Sequence, residues 1–140
     1  MSVALFGSVA RGEASANSDI DLLVIQGKER TDPVEPFAER MARIDRWPEY
    51  LTLRGRGLYP SPEVIFMTPA ELSKNPLILL DILDHGMILR DRQGFLKAKM
   101  KKLKGILKRL GAQKIHFDDG TWAWDLKSDW RPGDLIEIEL

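Results

Sequence analysis

The stretch that decides the fold is Val3–Ile25, which reads VALFGSVARGEASANSDIDLLVI. It contains two apolar runs with β character, Val3–Phe6 and Ile20–Ile25, separated by a polar connector rich in Gly, Ser and Ala. Gly7-Ser8 closes the first run, and Asp19-Ile20-Asp21 opens the second. Such runs, bounded by turn residues, predict two β-strands that are joined through a turn and a polar loop.

The acidic pair at the start of the second run predicts a metal site. Side chains alternate along a strand, so Asp19 and Asp21 are expected on the same face, about 7 Å apart along the chain. Two carboxylates at that spacing repel each other, and the pKa of one of them rises unless a cation neutralises them. A divalent ion is the usual solution, and oxygen ligands suit Mg²⁺, which takes substrate phosphates as further ligands.

The Gly7-Ser8 turn supplies the complementary half of a nucleotide site. A glycine lets the backbone approach a ligand closely, and a helix that starts at Ser8 would offer its free N–H groups to an anion. Gly7 and Gly12 have the glycine spacing of a P-loop, but Glu13 stands where that motif needs a lysine. A carboxylate there would repel phosphates, so the P-loop interpretation fails.

The arrangement G-S-x10-D-x-D, with its flanks LFGSVARG and SDIDLLV, resembles the nucleotidyltransferases of the DNA polymerase β superfamily. The likeness is greatest to the minimal nucleotidyltransferases of prokaryotes, and its motifs fall within residues 1–90. The resemblance implies an α/β (α+β) fold in which a mixed sheet is flanked by helices. It also implies in-line attack on the α-phosphorus of a nucleoside triphosphate, with pyrophosphate as the leaving group.

The resemblance assigns roles to five residues, and helical spacing adds Arg11 as a sixth candidate. Asp19 and Asp21 match the aspartates that hold Mg²⁺ on the triphosphate, and Gly7 and Ser8 match the residues that contact the phosphates. Arg11 lies one helical turn beyond Ser8, where it could reach a phosphate; the alternative is an exposed arginine that pairs with Glu13 or with solvent. The third carboxylate of the family, a metal ligand or general base, is best matched by Glu63; the alternative is an exposed glutamate at a strand start.

Composition sets limits on the other possibilities. The chain of 140 residues has no cysteine, which excludes disulfides and thiolate zinc sites. Its two histidines are too few for a histidine-rich metal site. No apolar run approaches the ~20 residues of a membrane span and no secretion signal is visible, so we expect a cytoplasmic protein without membrane contact. We expect residues 1–92 to form the nucleotidyltransferase core and residues 93–140 a C-terminal extension packed on it as one domain.

Beyond Ile25 the periodicity predicts alternating helices and strands. The predicted helices are Val34–Trp47, a short helix capped by Thr68, Pro76–His85 and Phe95–Leu110. The predicted strands are Glu63–Met67, Met87–Arg90, Lys114–Phe117, Thr121–Leu126 and Leu135–Leu140. Leu51–Pro62, with two glycines and two prolines, is predicted as an irregular loop, and Asp119-Gly120 favours a two-residue hairpin turn.

The net charge of zero conceals a basic block. Residues 91–114 contain nine Lys or Arg and one acidic residue, and the helix Phe95–Leu110 carries most of them. Such a face is either solvated or attracts RNA or an acidic partner. Trp122, Trp124 and Leu126 share one strand face, which favours core packing, a partner-binding patch or a platform for stacked bases.

The leading functional hypothesis is Mg²⁺-dependent transfer of a nucleoside monophosphate, AMP from ATP, onto an acceptor hydroxyl. Proteins that this chain resembles often serve as the antitoxin of a HEPN-type ribonuclease toxin and attach AMP to one of its tyrosines. Two alternatives stay open: a catalytically silent module that neutralises its partner by complex formation, and a nucleotidyltransferase that acts on a small molecule. The sequence also leaves open a homodimer and binding to nucleic acid.

Overall fold

The computed structural model describes residues 1–27, 39, 42–74, 77–136, 138 and 140. The strands are β1 (Ser2–Phe6), β2 (Ile20–Ile25), β3 (Pro62–Met67), β4 (Met87–Asp91), β5 (Gln113–His116) and β6 (Trp122–Asp125). The helices are α1 (Gly7–Arg11), α2 (Pro48–Gly55), α3 (Pro69–Ser73), α4 (Ile78–His85) and α5 (Phe95–Leu110), with a 3-10 helix at Arg92–Gly94.

Strands β1 to β4 form one mixed sheet in the order β3-β2-β1-β4. β1 is antiparallel to both β2 and β4, whereas β2 and β3 are parallel. Strands β5 and β6 form a separate antiparallel hairpin. This mixed sheet, flanked by helices and followed by a basic helix and a hairpin, confirms the predicted fold class.

The hydrophobic core lies between one face of the sheet and the helices that follow it. Ala4, Leu23 and Ile25 on that face are at most 2% exposed. The helices contribute the remaining large buried side chains, among them Leu72, Leu79, Ile82, Leu96, Leu103 and Leu107. α5 supplies five buried residues, so its apolar side faces the core and most of its lysines lie toward solvent.

Several boundaries follow the sequence signals closely. α5 has the predicted bounds, and Gly111 ends it in the left-handed conformation. Thr68 and Glu71 form a reciprocal capping box at the start of α3, in which the Thr68 hydroxyl accepts from Glu71 N and Glu71 Oε2 accepts from Thr68 N. Asp91 accepts from the backbone N–H groups of Leu96 and Lys97, which fixes the first turn of α5 to the end of β4.

The irregular loop predicted for Leu51–Pro62 is wrong in its first half, because α2 runs from Pro48 to Gly55. This helix buries no residue, so it has no apolar period; its signals are Pro48 at the first position and Glu49 in the first turn. Half of the helix predicted over Val34–Trp47 falls outside the described residues. Of the rest, residues 39 and 42–44 are helical, and Trp47 precedes α2.

The C-terminal segment differs from prediction in two further places. Phe117 N donates to Thr121 O, so the hairpin loop has three residues, with Gly120 in the left-handed conformation, rather than the predicted two. The last predicted strand, Leu135–Leu140, is not formed over its described residues 135, 136, 138 and 140. Instead of pairing in a sheet, the carbonyl of Leu140 accepts a hydrogen bond of 2.7 Å from Lys99 Nζ on α5.

Candidate functional site

The centre of the site is the junction where β1 turns into α1 against the start of β2. Phe6 and Asp21 are partners in the antiparallel register, so the residue that follows Phe6 passes beside the Asp21 side chain. Gly7 has a φ of 69°, and a β-carbon on it would overlap Oδ2 of Asp21 and lie 2.8 Å from its Cγ. Only glycine therefore fits here, and the turn and the carboxylate are packed directly against each other.

Asp21 is the electrostatically perturbed residue of this junction. Its pKa is raised above the ordinary value, first by desolvation and then by the negative charges of Asp19 and Asp81, while Arg11 acts in the opposite direction. Asp19 is exposed and lies just before β2. Because the charge of Asp19 contributes to the raised pKa of Asp21, the two carboxylates lie near enough to repel each other.

The loop that leads to Asp19 is fixed by its own contacts and by the neighbouring strand. Ser18 Oγ accepts from Ser15 N at 2.8 Å, and Ile20 N donates to Ser61 O at 2.8 Å, just before β3. Because these contacts hold the part of the loop on either side of Asp19, the position of Asp19 at the start of β2 is defined.

Glu63 lies beside the acidic pair on the adjacent strand. The parallel register pairs Asp21 with Glu63, so both side chains project from the same face of the sheet on neighbouring strands, about 5 Å apart at the backbone. The Glu63 side chain is exposed. Within the described residues, no group of three or more His, Asp or Glu side chains is gathered closely enough to hold a metal ion.

The donor set nevertheless fits Mg²⁺. This ion is bound in proteins through one or two carboxylates, with waters and substrate phosphates as its other ligands. Asp19 and Asp21 supply two carboxylates. Desolvation and the negative charges of Asp19 and Asp81 raise the pKa of Asp21, and a cation bound there would offset the repulsion between these charges. The roles predicted for Asp19, Asp21 and Glu63 as metal ligands and catalytic residues stay predictions.

Arg11 makes two contacts with carboxylates. Its Nε lies 2.8 Å from Glu13 Oε2, and its Nη1 lies 3.3 Å from Asp81 Oδ1. The pKa of Arg11 is raised, chiefly by the hydrogen bond to Glu13, although burial acts against this effect. The pairing with Glu13 is one of the two alternatives that the sequence left open for this side chain.

Asp81 on α4 is the residue that sequence reasoning missed. Its Oδ2 accepts a hydrogen bond of 3.3 Å from Gly7 N, and its Oδ1 faces Arg11. A carboxylate thus stands at the backbone amide that the predicted phosphate contact would use. The only signal in the sequence is an acid within the apolar run ILLDILD, between the buried Leu80 and Ile82.

The Ser8 side chain is half-buried at the first turn of α1. Its hydroxyl makes no hydrogen bond within the part of the chain that the structure describes, whereas its carbonyl accepts from Glu13 N at 3.0 Å. Gly7 and Ser8 are thus placed together beside Asp21, and their contact with phosphate stays a prediction.

The mixed sheet, with a glycine turn packed on a strand-borne carboxylate, is the arrangement that the resemblance to polymerase β-type nucleotidyltransferases implies. The family model described as "Nucleotidyltransferase domain" matches residues 1–89. A protein of Methanocaldococcus jannaschii named "Putative protein adenylyltransferase MJ1305" is 33% identical over 139 residues, which are 97% of this chain and 83% of that protein. The chain therefore belongs to the nucleotidyltransferase domain family.

One solved structure is also similar to this chain. It is described as "Crystal structure of the toxin-antitoxin with AMP-PNP", with a TM-score of 0.42 and 17% sequence identity over 79% of this chain and 80% of that chain.

Within the described residues, no helix combines the length and apolar character that crossing a membrane requires.

Proposed function

We propose that this nucleotidyltransferase transfers AMP from ATP to a hydroxyl group of a protein acceptor and depends on Mg²⁺. The observation that carries the proposal is the packing of the Gly7 turn against Asp21, which joins the two halves of the family motif in one place. The name of the M. jannaschii relative supports the choice of adenylyl group and protein acceptor.

In the proposed reaction the acceptor hydroxyl oxygen forms a bond to the α-phosphorus, and the bond from that phosphorus to the bridging oxygen breaks. Pyrophosphate leaves, and the hydroxyl proton passes to a base. Glu63, exposed beside Asp21, is the proposed base, and Asp19 and Asp21 would hold the metal. Bound Mg²⁺ supplies charge stabilisation at the attacking and leaving oxygens.

The phosphates are proposed to lie against Gly7 and Ser8. The Gly7 amide is a donor that Asp81 satisfies at the long distance of 3.3 Å, and Arg11 is within reach of the same carboxylate. A phosphate group is a stronger acceptor for the Gly7 amide than the Asp81 carboxylate, because it carries more negative charge. We propose that it takes over the Gly7 amide and draws Arg11 toward it.

The acceptor is proposed to be a tyrosine of a HEPN-type ribonuclease toxin, with this protein as its antitoxin. Support comes from the motif resemblance to minimal nucleotidyltransferases. A second candidate is a binding module without turnover, which the absence of a three-carboxylate cluster among the described residues favours. The two candidate functions differ in their need for Asp21: the enzyme requires it to neutralise the partner, and the binding module does not.

The test is transfer of label from ATP labelled at the α-phosphate, in the presence of Mg²⁺ and host lysate. We expect a labelled protein band with the wild type and none with the double variant Asp19→Asn/Asp21→Asn. Asp118→Asn, an exposed change in the hairpin loop, is the matched control and is expected to label normally. Label in RNA or in a small molecule would contradict the protein acceptor, and silence despite MgATP binding would favour the binding module.

A further inference from the structure

A cleft lies between the start of α4 and the hairpin strand β6. It has a volume of about 390 Å³ and is lined by Leu77, Leu80, Asp81, Trp122, Trp124 and Leu126. This volume falls in the range of ~300–1,000 Å³ that is usual for small-molecule sites. The lining is apolar and aromatic with one carboxylate, a composition that suits a flat, heteroatom-bearing ring system.

The cleft adjoins the candidate active site, because the two share one residue, Asp81. Asp81 lines the cleft, and its carboxylate also accepts from Gly7 N and faces Arg11 Nη1. A ligand whose phosphates lie at the Gly7 turn therefore has the cleft directly beside it. In a nucleotide the ribose separates base and phosphate by only a few bonds, so one molecule can span the two places.

We propose that this cleft is the nucleobase subsite of the enzyme and takes a purine. The proposal rests on the proposed function, because it assigns a place to the base of the same nucleotide. Indole rings bind bases by stacking, and a purine offers a larger face than a pyrimidine. Leu80, which is 9% exposed, and Leu126 supply the apolar walls of the cleft.

One unsatisfied group, on a tryptophan that lines the cleft, favours a base over an aromatic acceptor. Trp124 Nε1 is buried and has no hydrogen-bond acceptor within the described residues. It is covered by protein atoms, so a ligand can use it only after a rotation of the indole. A purine carries acceptor nitrogens on its ring edge, away from the reacting phosphate. A tyrosine acceptor has only its hydroxyl, which must be at the α-phosphorus.

The second indole is held in place by charged neighbours. Lys114 Nζ lies 4.0 Å from the centroid of the Trp122 ring and forms an ion pair with Asp84 on α4. The cation is attracted to the electron-rich face of the indole and fixes the hairpin against the helix. The ring is therefore positioned in advance, which reduces the entropy that a stacked ligand must lose.

The experiment measures the binding of Mg-ATP and of Mg-tripolyphosphate by calorimetry. Trp124→Leu is compared with Trp130→Leu, the same change at a tryptophan that is 52% exposed and outside the cleft lining. We expect Trp124→Leu to weaken Mg-ATP about tenfold, the size of one lost stacking contact, and to leave Mg-tripolyphosphate within twofold. Trp130→Leu should change neither, and wild type should prefer ATP and GTP to CTP and UTP.

Four results would overturn the subsite, and the first three leave the proposed function intact. Equal loss of ATP and tripolyphosphate affinity in Trp124→Leu would mean that this tryptophan supports the fold only. Unchanged ATP affinity with reduced transfer to the acceptor would place the acceptor in the cleft. Equal affinity of wild type for tripolyphosphate and ATP would show that the base is not held. Failure of the wild type to bind tripolyphosphate would instead contradict the phosphate site of the proposed function, and the base subsite with it.

Discussion

Gly7 and Asp21 are in such close contact that a β-carbon on Gly7 would overlap the carboxylate oxygen Oδ2 of Asp21. The contact joins residues 14 positions apart in sequence, because the antiparallel register brings Phe6 opposite Asp21. The glycine thus has two separate reasons to be present. One is its φ of 69°, and the other is the space that Asp21 occupies.

These two reasons can be separated with a matched pair of variants. Gly12 has a φ of 74° and nothing within 4 Å of a β-carbon, so Gly12→Ala reports the cost of conformation alone, about 1–2 kcal/mol. Gly7→Ala adds overpacking of ~1–3 kcal/mol and displaces Asp21, so it should also abolish transfer. Urea unfolding measures the difference, and equal costs for the two variants would contradict the contact.

The ionised carboxylate of Asp21 is expected to reduce the stability of the folded protein. Its pKa is raised by desolvation and by the charges of Asp19 and Asp81, so its ionised form is disfavoured in the folded protein. The destabilisation is absent below the unfolded pKa of ~4 and complete once the pH rises above the folded pKa. At pH 7 in EDTA, Asp21→Asn should raise Tm by about 1–4 °C.

The same variant should lose the response to metal. Mg²⁺ should raise the Tm of wild type and leave that of Asp21→Asn unchanged, because the carboxylate that the ion neutralises is gone. Asp118→Asn serves as the control in thermal scans with and without Mg²⁺. A lower Tm for Asp21→Asn in EDTA would show that the carboxylate is stabilising, contrary to the direction of its pKa.

Asp81 is expected to oppose phosphate binding. Its carboxylate already accepts from the Gly7 amide and lies 3.3 Å from Arg11 Nη1. Asp81→Asn should therefore tighten the binding of Mg-tripolyphosphate about two- to fivefold, the effect of one partly exposed charge. Asp84→Asn, on the same helix but paired with Lys114, should have no effect in the same calorimetric titration. Weaker binding by Asp81→Asn would mean that Asp81 positions the phosphate contacts.

Asp91 is expected to be a stabilising cap. Its carboxylate accepts from Leu96 N and Lys97 N at 2.9 Å and from Ser2 Oγ at 2.8 Å. Desolvation raises its pKa, but these hydrogen bonds outweigh that effect and leave the pKa lowered. Asp91→Ala should cost about 2 kcal/mol in urea unfolding at pH 7, whereas Asp118→Ala should be near neutral.

The pH dependence gives a second check on Asp91. A lowered folded pKa means that the stabilisation is complete above the unfolded pKa of ~4 and is lost as the pH falls through the folded pKa. The stability difference between wild type and Asp91→Ala should therefore shrink below about pH 4. A difference that stays constant down to pH 2 would contradict the role of the charge.

Gly105 offers a stabilising change away from the site. It lies exposed inside α5, and a β-carbon on it would have nothing within 4 Å. Gly105→Ala should raise stability by about 0.5–1 kcal/mol, because alanine loses less backbone freedom in a helix. Gly86→Ala is the contrasting variant, since its β-carbon would lie 2.6 Å from Cα of Ile82 and should destabilise. A loss of stability in Gly105→Ala by chemical denaturation would contradict the prediction.

Local signals predicted much of the fold. The β2 bounds, the capping box at Thr68 and the full extent of α5 were readable because each depends on periodicity or on a cap within a few residues. α2 was not readable, since a helix without buried residues leaves no period. The hairpin loop differs by one residue because Asp-Gly suits both two- and three-residue turns. The division of the chain at residue 92 stays a prediction.

By itself the sequence determined the family, through the spacing of Gly7-Ser8 and the two aspartates, and the residues proposed for the chemistry. Only the tertiary structure decided which side chains from distant parts of the chain lie beside those residues. Asp81 comes from a helix 74 positions beyond Gly7, and the tryptophan cleft needs the hairpin to pack beside that helix. Such pairings depend on how separate elements pack, and no local pattern in the chain encodes which side chains will meet across that distance.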